Sequence, residues 1–275
     1  MAKKYSYNER LNNTLMKMTT EMIQFIILIL TNKPSCRISM KYSLLIIFLL
    51  LSFTVHSNEE PLNIVTEDWP PFILKGQEIS GIVTKNIREV LAYTDIEYSI
   101  DVYPWARSFH LATTNPNVLI YSIYRTKQRE SKFHWFCPIY KSTPIHAYKL
   151  ASNKINIDSL EALKTSVVGI MRGDNSHSYF LQKGFQEGVN VDLSSNEETN
   201  IKKLIKGRVD VVIQSQESLN YRLKSLGASD MKLISGLEIS RGASAEHCMA
   251  LSLNTKAETI NKMRKGFKQW QKTQQ

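Results

Sequence analysis

The chain has 275 residues, 43% of them apolar, and a formal charge of +10. That length fits one large or two ordinary domains, and the apolar share supports a buried core, which excludes a disordered chain. Seven of the 35 bases but only two of the 25 acids precede Asn58, so without that segment 28 bases face 23 acids, and the residual +5 names no partner.

The first 57 residues read as removable. Lys41 is followed by the uncharged run "YSLLIIFLLLSFTV" and then by "VHS". This is the form of a secretory signal peptide over 40–57, cleaved after Ser57. The run is shorter than the roughly 20 apolar residues a membrane-spanning helix needs. Met40 stands directly before the basic start of that segment, so residues 1–39 are expected to be an untranslated or unstructured extension. The exported protein is then soluble and periplasmic. Only Cys137 and Cys248 follow the cleavage point, so at most one bridge is available, and two buried thiols packed as small apolar groups are the favoured reading.

From Pro61 onward strands and helices alternate. "LNIVTE" is a first strand, and "TKNIREVLAY" places Ile87, Val90 and Leu91 on one helix face. Ile96, Tyr98, Ile100 and Val102 alternate with polar residues as in a half-buried strand. Pro104 suits the first turn of a helix through "WARSFHLATT". "VLIYSIY" is apolar on both faces, as in a strand covered from both sides. Further on, Asp158 with Glu161 marks a helix start, and "SVVGIM" is a short buried strand ending at "RGD". "NIKKLIKG" is a helix stopped by Gly207, "RVDVVIQ" a strand, and "SLNYRLKSLG" a helix stopped by Gly227. Ile260, Met263, Phe267 and Trp270 form the stripe of a last helix. The alternation predicts an α/β fold with mainly parallel sheets flanked by helices.

Four stretches, in order, carry a family resemblance: "EDWPPF" at Glu67 to Phe72, "PWAR" at Pro104 to Arg107, "RTKQRESKFHWFCPIY" at Arg125 to Tyr140, and "LIKGRVDVVI" at Leu204 to Ile213. Together they resemble the periplasmic solute-binding protein family of amino-acid-type ABC transporters. The resemblance implies a two-lobed type II clamshell with two interlobe crossover strands. Residues 61–140 plus 245–275 would form lobe one and 145–241 lobe two, closing on a ligand by hinge motion.

The resemblance places a ligand-carboxylate clamp at Arg129, because a planar guanidinium pairs bidentately with a carboxylate where Lys does not. Ser122, Tyr124 and Thr126 offer hydroxyls or backbone groups to the same anion, whereas Arg125 and Lys127 read as solvated. Glu67, Asp68 and Trp69 occupy the loop after the first strand, where open α/β sheets bind ligands. A carboxylate there would hold an ammonium and Trp69 would stack on the ligand; equally, Trp69 fills core beside Pro70 and Pro71. Arg107 and Trp105 point into the cleft or pack between elements. In "MRGDNSHSYF" the free N–H groups at Asn175 and Ser176, with Arg172, favour an anion, and a plain helix cap by Asp174 or Asn175 explains the same letters. Ser215 stands where amino-acid-binding members often carry the Asp that holds the α-ammonium. That departure, with Arg107, Arg129 and Arg172, points away from a standard α-amino acid to a ligand with more negative charge, or to one with a carboxylate and an aromatic or polar body. Asp210 reads as structural.

The expected function is capture of a small, polar, carboxylate-bearing solute and its delivery to an inner-membrane permease, the alternative being presentation to a membrane sensor. No cofactor, metal or nucleic acid is expected, and a monomer is. An enzyme is the weaker reading, since no nucleophile elbow, His-Glu-x-x-His pair or phosphate loop is present. His110, His134, His146, His177 and His247 lack metal-ligand spacing and read as surface or packed residues.

Overall fold

A computed structural model describes residues 60–240 and 245–274, together with Glu21 and Gln24. Apart from those two positions, the expected leader and signal peptide lie outside the described residues. Among the described residues no helix is long and apolar enough to cross a membrane.

Strands and helices follow one another as β1 (Leu62–Thr66), α1 (Ile82–Ala92), β2 (Tyr98–Val102), α2 (Trp105–Thr114), β3 (Val118–Ile123), β4 (Phe133–Tyr140) and β5 (Ile145–Leu150). Then come α3 (Leu160–Leu163), β6 (Val168–Met171), α4 (Asn175–Gln182), β7 (Val191–Ser194), α5 (Glu197–Ile205) and β8 (Val211–Ser215). The order closes with α6 (Gln216–Ser225), β9 (Leu233–Ser240), β10 (His247–Ser252) and α7 (Ala257–Thr273).

The strands form two five-stranded sheets, ordered β2-β1-β3-β10-β4 and β7-β6-β8-β5-β9. Each sheet is mixed. Strand β1 runs parallel to β2 and β3, and β6 parallel to β7 and β8. The antiparallel members are β10, between β3 and β4, and β5, between β8 and β9. They are the strands that follow the two passages between sheets, β4 to β5 and β9 to β10. Helix-linked strands are parallel because each helix carries the chain back to the same sheet end, whereas the returning strands enter from the other lobe.

The α/β alternation is present at the expected places, with local shifts that have physical causes. Gly207 and Gly227 take φ +64° and +67° just beyond the caps of α5 and α6, a conformation that costs other residues a steric clash. Pro104 is the cap rather than the first helical residue of α2, and its carbonyl accepts from the N–H groups of Arg107 and Ser108. Ser159, not Asp158, caps α3, accepting from the Ala162 N–H. On α7, Met263, Phe267 and Trp270 are buried against α1 and the first sheet, with Ile260 at the margin. Gly266 sits where a Cβ would lie 2.4 Å from Thr94 Cγ2, so α7 and the end of α1 approach closely only through a glycine.

The two cysteines are not free thiols. Cys137 on β4 and Cys248 on β10 are bonded, with their Cα atoms 4.6 Å apart across adjacent strands and 111 residues apart in sequence. The sequence reading missed this because β10 pairs with β4 only after the chain has built the whole second sheet.

Candidate functional site

The ends of β1 and β3 in the first lobe face the N-termini of α4 and α5 in the second, and a cleft with a cavity volume of about 60 Å³ lies between them. Its first-lobe wall comprises Glu67, Trp69, Trp105, Ser122, Tyr124 and Arg129, and its second-lobe wall includes Asp174, Asn175, Ser176, Glu197, Gln214 and Ser240. The lobes touch across it. Trp105 Nε1 donates to the Gly173 carbonyl at 2.7 Å. Arg222 on α6 pairs with Asp68 at 2.9 Å.

Arg129 ends the loop after β3, its N–H held by the Thr126 carbonyl at 2.9 Å. The residue is 7% exposed, and its guanidinium lies 5.1 Å from the Trp105 ring and 5.0 Å from the Phe109 ring. The guanidinium's only hydrogen bond among the described residues is a long one of 3.5 Å to the Tyr124 carbonyl. Among the described residues no carboxylate reaches ion-pair distance of it. Burial lowers its pKa to about 10 against the opposing pull of Asp174 and Glu67, so it stays charged at neutral pH. A buried guanidinium fork of this kind can pair bidentately with a carboxylate. Arg125, by contrast, is exposed and paired with Glu130, and Lys127 is exposed, as a solvated run requires.

Behind the cleft the lobe junction is fixed by His247. Its Nδ1 is 2.6 Å from Ser122 Oγ and its Nε2 2.8 Å from Thr143 Oγ1, and its ring stacks on Trp69 at 4.9 Å. Thr143 lies in the first passage between lobes and donates its N–H to Ala245 in the second. Ser122 adopts φ +61°, uncommon for a residue with a side chain. Burial lowers His247 to about pKa 3, so the ring is neutral and structural. Tyr124 also serves the junction, its hydroxyl donating to the Thr143 carbonyl at 3.3 Å. Trp69 satisfies both of its readings: its ring is core against Phe72 and His247, while it lines the cleft with its Nε1 unpartnered.

The other predicted positions divide. Asn175 and Ser176 open α4 on the cleft, and Asp174 caps that helix by accepting from the His177 N–H at 2.6 Å. Thr126 does not line the cleft, and its buried hydroxyl has no partner. Arg107 is exposed, stacked 4.3 Å over Tyr103 on the outer side of α2. Arg172 is exposed beside Glu187 and Asp192. Ser215 is 0% exposed and caps α6, accepting from Ser218 N. Asp210 is structural, accepting from the Val167 N–H at 2.9 Å. The three arginines expected to act together are therefore apart, and only Arg129 reaches the cleft.

Opposite it are carboxylates. Glu67 is 8% exposed and makes no hydrogen bond or ion pair among the described residues. Glu197, 9% exposed, accepts from Ser218 Oγ at 3.0 Å. Desolvation raises Glu67 well above the usual carboxylate range, and Glu197, Asp174 and Asp68 push it further while Arg222 opposes. Desolvation likewise lifts Glu197 to about 7, against Arg222, Ser218 and Gln214, and Asp174 to about 6, against its helix-terminal bonds and Arg129. Glu197 was missed in the sequence because "NEET" reads fully as an Asn196-capped helix start with acids in the first turn. Nothing in those letters says which acid turns inward.

No protein-family model and no curated protein sequence matches the chain. Solved structures do match. A histidine kinase sensor domain with similarity to periplasmic binding proteins aligns with a TM-score of 0.68 at 15% identity, over 78% of this chain and 91% of that one. An ancestral arginine-binding protein bound to arginine gives 0.65 at 19% identity, over 77% and 92%. An arginine third transport system periplasmic binding protein from Legionella pneumophila gives 0.60 at 18%, over 78% and 93%. The chain has the two-lobed fold of the periplasmic binding proteins. Among the described residues, no group of His, Cys, Asp and Glu side chains is arranged to hold a metal ion.

Proposed function

We propose that this protein is an exported, non-catalytic solute-binding protein. It closes its two lobes on a small, polar, carboxylate-bearing solute of amino-acid-like size and delivers it to a membrane transporter. The observation that carries the reading is Arg129: a buried guanidinium on the cleft wall with no carboxylate partner of its own. Arginine-binding proteins among the structural neighbours support the same reading. The test is a thermal-shift screen of amino acids, dicarboxylates, short peptides and polyamines, because a solute that binds only the folded chain raises its melting temperature. A panel in which no solute shifts the transition would refute the proposal.

A second reading keeps the cleft and changes the output. The likeness to a kinase sensor domain favours presentation of the bound solute to a membrane sensor. Cross-linking in intact cells separates the two by whether a permease or a signalling protein is captured.

A further inference from the structure

Glu67 belongs to the first lobe, whereas Asp174 and Glu197 belong to the second, and closure brings all three onto one cavity. The groups facing Glu67 are Glu197, Asp174, Asp68 and Arg222, and Arg129 and Tyr124 lie on the same wall. Arg222 is already engaged by Asp68 and Glu198. Among the described residues Arg129 is the one cation on the cleft wall, and a ligand carboxylate would neutralise it. The wall then carries three carboxylates with no cation of their own, and one of them, Glu67, lacks even a hydrogen-bond donor. Two further buried atoms on the wall, Trp69 Nε1 and Ser240 Oγ, also lack partners, which marks the space as one that a polar guest completes.

Building on the solute-binding reading, we infer that the solute is a carboxylate-bearing dication of net charge +1, its carboxylate on Arg129 and its cationic groups among Glu67, Asp174 and Glu197, and that its capture releases protons from these acids. A basic amino acid has this pattern and leaves one of the three carboxylates uncompensated; a neutral zwitterion leaves two, and a dicarboxylate adds to the repulsion. The proton step balances simply. A carboxylic O–H on Glu67 or Glu197 breaks, its proton passes to solvent, and the carboxylate accepts an N–H of the ligand cation instead. Burial and mutual repulsion keep part of this set protonated near neutral pH before the ligand arrives, so protons are available for release.

The experiment is calorimetric titration with L-ornithine, L-glutamine and L-glutamate, which match in length and differ in charge, in two buffers of different ionisation heat at pH 7. The inference expects L-ornithine to bind at least about tenfold more tightly than L-glutamine. It expects L-glutamate to bind most weakly, and ornithine heats to differ between the buffers by a released proton. Ornithine affinity should fall as pH drops from 7.5 to 5.5. Glu67→Gln and, separately, Glu197→Gln should each narrow the ornithine preference and reduce proton release. As a folding control, both are expected to raise the melting temperature of the ligand-free protein, because each removes a desolvated acid. Equal or tighter glutamine binding, or ornithine binding with no buffer dependence, overturns the inference. Binding of some other solute in the screen, with all three amino acids silent, overturns it while leaving the solute-binding reading intact. A screen with no binder at all overturns both.

Discussion

Arg222 of the second lobe donates from Nη2 to Asp68 of the first, to its carboxylate at 2.9 Å and to its main-chain carbonyl at 3.0 Å. Its Nη1 meanwhile holds Glu198 at 3.2 Å. The pair spans the cleft mouth beside Glu67 and ties the two lobes together in this structure. Its charge also offsets part of the repulsion between Glu67 and Glu197.

Asp68→Asn should therefore loosen the closed form. A hydrogen bond to a charged group contributes about 1.5–3 kcal/mol, so the expected effect is a roughly ten- to hundredfold faster release of bound solute with little change in capture rate. Stopped-flow fluorescence of the cleft tryptophans reads this directly. An unchanged release rate would show that closure does not depend on the pair.

The neutral His247 gives a second expectation. Its folded pKa of about 3 lies below the ordinary value of 6.5, so its contribution is complete above pH 6.5 and is lost as pH falls toward 3. The raised acids act oppositely: Glu197, at about 7, and Asp174, at about 6, favour the folded state as pH falls toward their ordinary values. The difference between wild type and His247→Phe isolates the histidine. The substitution leaves Ser122 and Thr143 unpartnered, costing about 1–3 kcal/mol for each hydroxyl left unsatisfied at pH 7.5. Urea denaturation should show that difference shrinking between pH 6.5 and pH 4.

The Cys137–Cys248 bond closes a loop that contains the whole second sheet. Constraining so long a loop in the unfolded chain stabilises the fold by about 2–4 kcal/mol in typical cases. Reduction, or the Cys137→Ser, Cys248→Ser double variant, should lower the denaturation midpoint accordingly while the far-ultraviolet spectrum is retained. Coincident denaturation curves for the oxidised and reduced protein would contradict the bond.

What the sequence made legible follows from range. Periodicity and end signals are local, and they located β1, β3, α1, α5, α6 and α7 because each is written in consecutive letters. Strands β5, β9 and β10 depend on partners in their own sheets that are distant in sequence, and so does the disulfide. At the site, Arg129 was legible because a motif surrounds it, and Asn175 and Ser176 because they begin a helix after a strand. The direction in which a side chain points was not legible. Arg107 and Arg172 stand on elements that border the cleft yet face away from it, and Glu197 turns inward from a helix start that looks ordinary. The charge of the cleft was misread for that reason: among the described residues one arginine and three carboxylates line it, where three arginines and Glu67 had been expected.

The most direct test of the account is a calorimetric comparison of wild type with Arg129→Ala, using the solute that most raises the wild-type melting temperature. The guanidinium lies on the cleft wall and bears no load in either sheet, so the variant should keep a cooperative transition and lose affinity by roughly a hundredfold, the worth of a charge-assisted bidentate pair. A folded Arg129→Ala protein that binds the same solute with wild-type affinity would contradict the assignment of this cleft as the place where a carboxylate is held.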